Sequence, residues 1–151
     1  MSGWDAYVQT QLIDTGAVHQ AAILGKDDLQ LYAEIGGFQL CSYTTNVTND
    51  QGVDAPTNID EVADMTNFLA NGTNPKTGWR MNQTKYQLIR KLDGPTVYLK
   101  CTGGGACVAA TQTLLIIGVC KPEDSSKANA LLIQCNTAVE ALAEYLNQSG
   151  Y

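Results

Sequence analysis

The chain has 151 residues, enough for one core and too few for two that each hold themselves together. Hydrophobic residues make up 44% and charged residues 16%, which excludes a disordered chain, and no apolar run approaches the roughly 20 residues of a membrane span. A net charge of −6 argues against nucleic acid as a partner.

The chain opens on a predicted short helix. Ser2 and Asp5 fit a capping pattern, Trp4, Tyr7, Val8, Gln11 and Leu12 share one face, and Gly16 stops the run. Residues 20–25 read as a strand, 26–28 as a turn and 29–34 as a returning strand. In that second strand Leu29, Leu31 and Ala33 alternate with Gln30, Tyr32 and Glu34, so Tyr32 is expected to face away from the aliphatic row. Residues 36–58, rich in Gly, Asn, Thr and Asp and closing near Pro56, read as a long loop. A short helix is expected over 60–69, with Val62, Met65, Phe68 and Leu69 inward and Asp60, Glu61 and Asp64 on its solvated start, where acids oppose the helix dipole.

After Trp79 the pattern becomes a meander: strands at 85–92, 96–101, 107–111 and 114–120, with Asp93-Gly94 as one turn and the 102–105 glycine run as another. The stretch 114–120 is apolar on both parities, which fits a central strand covered on both faces. A long helix from about 126 to 148 closes the order, capped by Ser125 or Ser126. Its stripe is Leu131, Cys135, Ala138, Val139, Leu142, Tyr145 and Leu146. Hairpin-length connections make this an α+β chain with a largely antiparallel sheet of about six strands.

Chemistry of the usual catalytic kinds has no foothold. No phosphate-binding, nucleophile-elbow or zinc-helix motif occurs, the single histidine is His19, and the five cysteines contain no C-x-x-C pair. Neither a cofactor nor a metal site is expected, and reduced cysteines in apolar contexts fit the cytoplasm. Two features invite a binding reading. Lys76, Arg80, Lys85, Arg90, Lys91 and Lys100 are opposed only by Asp93 in their stretch of an otherwise acidic chain. Such a segment either steers the protein toward an acidic partner or simply solvates one side of a sheet. Trp4 and Tyr7 near one end, with Tyr145 and Tyr151 near the other, either line a half-exposed groove or fasten the first helix to the sheet. Rings with a polar edge suit grooves that hold polyproline II peptides, whose free carbonyls accept hydrogen bonds.

Gly3-Trp4-Asp5-Ala6-Tyr7-Val8, followed by Ala21-Ala22-Ile23-Leu24-Gly25, resembles the amino-terminal signature of profilins. Lys85-Tyr86-Gln87-Leu88-Ile89-Arg90, Thr102-Gly103-Gly104, the buried 114–118 strand, Gln134-Cys135-Asn136 and Ala141-Leu142-Ala143-Glu144-Tyr145-Leu146 follow in family order. The resemblance implies a single-domain, monomeric, cytoplasmic and cytoskeleton-associated protein that is not an enzyme. In its fold the terminal helices lie side by side on one face of the sheet, with a short helix and loops on the other. It further implies binding to monomeric actin with promotion of nucleotide exchange, binding to proline-rich proteins such as formins, and binding to phosphoinositides.

By position, the resemblance assigns the proline groove to Trp4, Tyr7, Tyr32, Tyr145, Leu146 and Tyr151, and actin contacts to Lys85, Leu88, Arg90, Lys100 and Asn136. Tyr32 stands where profilins usually carry Trp, while Cys107, Ala109 and Thr137 replace polar or basic groups. Residues 39–58 form an insertion relative to most profilins, expected to add or replace actin contacts. A competing expectation is a roadblock- or longin-like scaffold that regulates a GTPase through its sheet edge.

Overall fold

The computed structural model describes residues 3–92 and 96–151, so the expected Ser2 cap and the Asp93-Gly94 turn lie outside the described residues. A seven-stranded antiparallel sheet runs in the order β2-β1-β9-β8-β7-β6-β5. Its strands are β1 (Gln20–Gly25), β2 (Leu31–Ile35), β5 (Trp79–Met81), β6 (Thr84–Leu92), β7 (Thr96–Cys101), β8 (Gly104–Ala110) and β9 (Leu114–Cys120). β9 is buried along its whole length between two layers, as its double-parity apolar run requires.

On one face lie α1 (Gly3–Tyr7), which continues as a π-helical turn over Val8–Leu12 and a 3-10 turn over Ile13–Thr15, and α3 (Ala128–Gln148). Val8, Leu12, Cys135, Val139, Leu142 and Leu146 bury against Ile23, Cys107 and Ile116 of the sheet. The long helix can lie close because Gly105 and Gly118 leave room beneath Leu132 and Val139. Asp124, rather than Ser125 or Ser126, caps the 3-10 turn that leads into α3: its carboxylate accepts from Ser126 N at 3.0 Å. On the other face α2 (Glu61–Asn71) packs Met65 and Phe68 against Leu99, Leu115 and Ile117, while Val62 points to solvent instead of inward.

Three expectations give way. First, residues 36–58 are mostly not loop: β3 (Ser42–Thr48) and β4 (Asp54–Asp60) pair as a separate antiparallel hairpin. Tyr43, Thr45, Val47, Ala55, Thr57 and Ile59 are its shielded side, alternating with exposed residues at every second position. Pro56 is tolerated because a two-stranded ribbon consists of edges only. Second, Glu61 does not sit on a solvated helix start. It is 1% exposed, and its carboxylate accepts from Cys41 N (2.8 Å), Asn82 N (2.7 Å), Gln83 N (2.9 Å) and the Tyr43 hydroxyl (3.0 Å). One side chain thereby ties the base of the hairpin to the β5–β6 turn, whose Asn82 and Gln83 both adopt positive φ. Third, Gly104 and Gly105 belong to β8 rather than to the preceding turn.

Two bulges then decide which way functional side chains point. The β1–β2 register passes from Ile23↔Ala33 to Leu24↔Leu31, leaving Tyr32 as the extra residue. Leu31 therefore shares the side of Leu24, and Tyr32 turns to the helix-bearing side, where its phenol lies over Gly25. A Cβ on Gly25 would stand 2.8 Å from the Tyr32 hydroxyl. The simple alternation expected for this strand is thus broken. In β6 the register passes from Leu88↔Leu99 to Arg90↔Tyr98 around Ile89.

Candidate binding surfaces

The rings from the two ends of the chain meet. Trp4 packs edge-on against Tyr151, with centroids 5.0 Å apart at 81°, and lies 5.8 Å from Tyr7, which in turn lies 6.1 Å from Tyr145. Spacing i, i+3 on α1 puts Trp4 and Tyr7 on the side that faces α3. The β8–β9 turn holds the far end: the Tyr151 carbonyl accepts from Thr113 N (3.0 Å), Thr111 Oγ1 (2.9 Å) and Thr113 Oγ1 (3.1 Å). Gly3, Trp4, Tyr7 and Tyr151 line a depression of about 230 Å³. A hydrogen bond with Tyr145, together with that neighbour's charge, raises the Tyr7 phenol above its ordinary pKa.

The expected groove residues divide. Trp4 and Tyr7 are half-buried, whereas Tyr145, Tyr151 and Tyr32 are exposed. Leu146 is 1% exposed and lies in the core beneath the rings, so it supports the surface and does not present a contact. Tyr32 reaches the same face of the sheet through the bulge, at the Gly25 end of β1.

The second expected set also divides. Gln87 pairs with Lys100 and Arg90 with Tyr98, and Tyr98 packs on the α3 side of the sheet. Lys85, Arg90 and Lys100 therefore point to one face, beyond the edge of α3. Lys85, Gln87 and Lys100 border a depression of about 460 Å³ there. Leu88 pairs with Leu99 and packs into the opposite core, so it does not join them. Lys91 is also drawn to that other side, where its ammonium donates to Gly72 O at 2.9 Å and stands 5.3 Å from the Phe68 ring centre.

On α3, Leu132, Asn136 and Glu140 form an i, i+4 row along the flank. Tyr98 donates to Glu140 Oε2 at 2.7 Å and Leu132 rests on Gly105, which places Asn136 between them, half-buried. Burial first, and the Glu140 bond second, push the Tyr98 phenol up to about 12. No spacing rule pairs Tyr98 with Glu140, which lie 42 residues apart along the chain.

His19 has a structural part: its Nδ1 accepts from Lys121 N at 2.9 Å, joining the start of β1 to the end of β9. Cys107 and Cys135 are buried, and burial raises both thiols, Cys135 to about 12, which keeps them un-ionised and unreactive.

Comparison with known proteins agrees with this architecture. The Profilin family model matches residues 2–151. The profilin of Tetrahymena pyriformis is 35% identical over 161 residues, covering 100% of both chains. Among solved structures, Schizosaccharomyces pombe profilin superposes with a TM-score of 0.70 at 25% identity, over 99% of this chain and 100% of the other. Mouse profilin IIa, solved in complex with a double repeat from the FH1 domain of mDia1, shares the fold with a TM-score of 0.62 at 21% identity, over 99% of this chain and 100% of its own.

Proposed function

This chain belongs to the profilin family, whose members bind actin, and we propose that it binds monomeric actin and proline-rich segments on two separate surfaces. The proline surface is the ring cluster of Trp4, Tyr7, Tyr145 and Tyr151, with Tyr32 at its far end. The observation that carries this reading is the ring contact between residues from opposite ends of the chain, left open to solvent on its outer side. A polyproline II helix is already extended and loses little entropy on docking. Its pyrrolidine rings pack on aromatic faces, and its carbonyls accept from indole N–H and phenol O–H. The FH1 repeat bound by the mouse relative supports a proline-rich ligand. Tyr32, with a hydroxyl where the family usually has an indole N–H, keeps the stacking face and alters the donor.

The actin surface is the face bearing Lys85, Arg90 and Lys100 together with the Asn136 flank of α3. Occupying a monomer there blocks its use in nucleation by mass action. Tighter binding to an opened nucleotide cleft than to a closed one shifts the population toward opening and speeds exchange. No covalent step is required. The GTPase-scaffold alternative finds no support, because the family match spans the chain.

The test uses tryptophan fluorescence during titration with polyproline, alongside a monomeric-actin binding assay. A saturable change is expected, lost in Tyr7→Ala with circular dichroism unchanged. Arg90→Glu is expected to weaken actin binding and leave the proline titration intact. A common loss of both activities in either variant would overturn the two-surface reading.

A further inference from the structure

Beside the β3–β4 hairpin lies a cleft of about 270 Å³ into which three cations converge from three parts of the chain: Lys76 from the loop after α2, Arg80 from β5 and Lys85 from β6. Arg80 and Lys85 are direct cross-strand partners, so their side chains leave the sheet on the same side. Gly78, at φ +95, lets the Lys85 stem pass close: a Cβ there would stand 3.0 Å from Lys85 Cε. The opposite wall is Asn46, Val47 and Thr48 of β3, and none of the lining residues is acidic. Among the described residues the Lys76 and Lys85 ammonium groups make no hydrogen bond or ion pair, although the protein as a whole is acidic. Lys76 also borders a neighbouring depression that Asp60 and Asp64 line, but Lys76, Arg80 and Lys85 gathered in one cleft repel one another, and an anionic occupant relieves that repulsion.

We propose that this cleft receives an acidic segment of a protein partner, with the hairpin as its fixed outer wall. The proposal deepens the actin-surface reading, on which it rests, by extending that surface past β6 to the hairpin. Two observations favour an extended chain over a single headgroup. The cleft shares Lys85 with the depression bordered by Lys100, so the cationic lining continues from Lys76 and Arg80 through Lys85 to Lys100 across two depressions. The wall is also preorganised, because buried Glu61 fixes the hairpin base through Cys41 and Tyr43, and Arg80 lies beside that same Tyr43 phenol.

The probe is a capped hexaglutamate peptide added to the 15N-labelled full chain near neutral pH, with monomeric actin as the protein partner. Saturable shifts are expected at the amides of Thr48, Thr77 and Lys85. Lys76→Glu is expected to weaken both the peptide and actin by roughly fivefold, the size of one partly exposed charge contact. If Arg90→Glu weakens actin while Lys76→Glu changes neither ligand, the cleft proposal falls and the actin surface stands. If neither variant affects actin, both fall. Tighter binding of inositol trisphosphate than of hexaglutamate at these amides, with actin affinity unchanged in Lys76→Glu, overturns the protein segment in favour of a phosphate headgroup.

Discussion

Tyr43 donates its hydroxyl to the Glu61 carboxylate at 3.0 Å, linking the inserted hairpin to a buried acid that also accepts three backbone N–H groups. Burial first, then Glu61, raises the Tyr43 phenol above its ordinary pKa. Removing the acid strands the Cys41, Asn82 and Gln83 N–H groups around a part-buried site. Glu61→Ala is therefore expected to lower unfolding free energy by about 3–5 kcal/mol, Glu61→Gln by less, and Tyr43→Phe by about 1 kcal/mol. Urea denaturation measures the order. Hydrogen exchange should speed up at residues 41, 82 and 83 before it does in β9. A Glu61→Ala protein within about 0.5 kcal/mol of the parent would contradict the account.

The elements with the strongest apolar patterns were legible in the sequence. β7 and β9 fall where alternation and the double-parity run put them, and α3 buries Cys135, Val139, Leu142 and Leu146 of its expected stripe while leaving Tyr145 exposed. The hairpin was missed because Thr, Asn and Asp dominate it. Its signal was the alternation of Tyr43, Thr45 and Val47, answered by Ala55, Thr57 and Ile59 across the Asn49–Gly52 turn. Such a ribbon half-buries modest side chains, so composition argues loop while parity argues strand. Bulges were beyond reach for a different reason: a register slip depends on the neighbouring strand, and one residue reverses every later side chain. Tyr32 thus reaches the helix side and Arg90 the face of Tyr98, each against local alternation, while Leu88, ahead of the bulge, stays with Tyr86 in the opposite core. Glu61 shows the same limit, since nothing local to a helix N-terminus says that a turn twenty residues on will close over it.

Tyr98 and Glu140 supply a pH dependence. The folded phenol is raised to about 12 from its ordinary 10.0, so the folded state holds its proton where the unfolded chain has lost it. The stabilisation is therefore complete below pH 10 and is lost as pH rises from 10 toward 12. Tyr98→Phe should flatten that alkaline decline in unfolding experiments. Glu140→Gln should move the Tyr98 transition down toward the ordinary phenol range in a tyrosinate absorbance titration. An unmoved transition in Glu140→Gln would leave burial as its whole cause.

Neighbours in sequence, Tyr145 and Leu146 should separate ligand binding from stability. Tyr145 is 51% exposed and contacts Tyr7, whereas Leu146 is 1% exposed in the core. Tyr145→Ala is expected to weaken polyproline binding about tenfold, with its unfolding midpoint little changed. Leu146→Ala should cost about 2–5 kcal/mol, the range for truncating a buried leucine. It should also retain polyproline binding under conditions where it stays folded. Equal stability losses in the two variants would contradict this division.

Gly25 offers a test of where Tyr32 sits. The phenol lies so close to β1 that a methyl group on Gly25 would press on its hydroxyl at 2.8 Å and on Cζ at 3.2 Å. Gly25→Ala must then push the ring away from the helix-bearing face, and polyproline affinity should fall. Tyr32→Ala removes the ring outright and should weaken binding by a similar factor. The methyl group would also crowd Asp28 Oδ1 in the β1–β2 turn, but on the proline surface it acts through the ring, so the double variant should bind no worse than Tyr32→Ala alone, a strong departure from additivity in a double-mutant cycle. Tyr32→Phe, which keeps the stacking face and loses the donor, should fall between the parent and Tyr32→Ala. Additive losses in the cycle would mean that Gly25 acts on the ligand by a route other than the Tyr32 ring, and unchanged binding in Tyr32→Ala would put Tyr32 outside the proline surface.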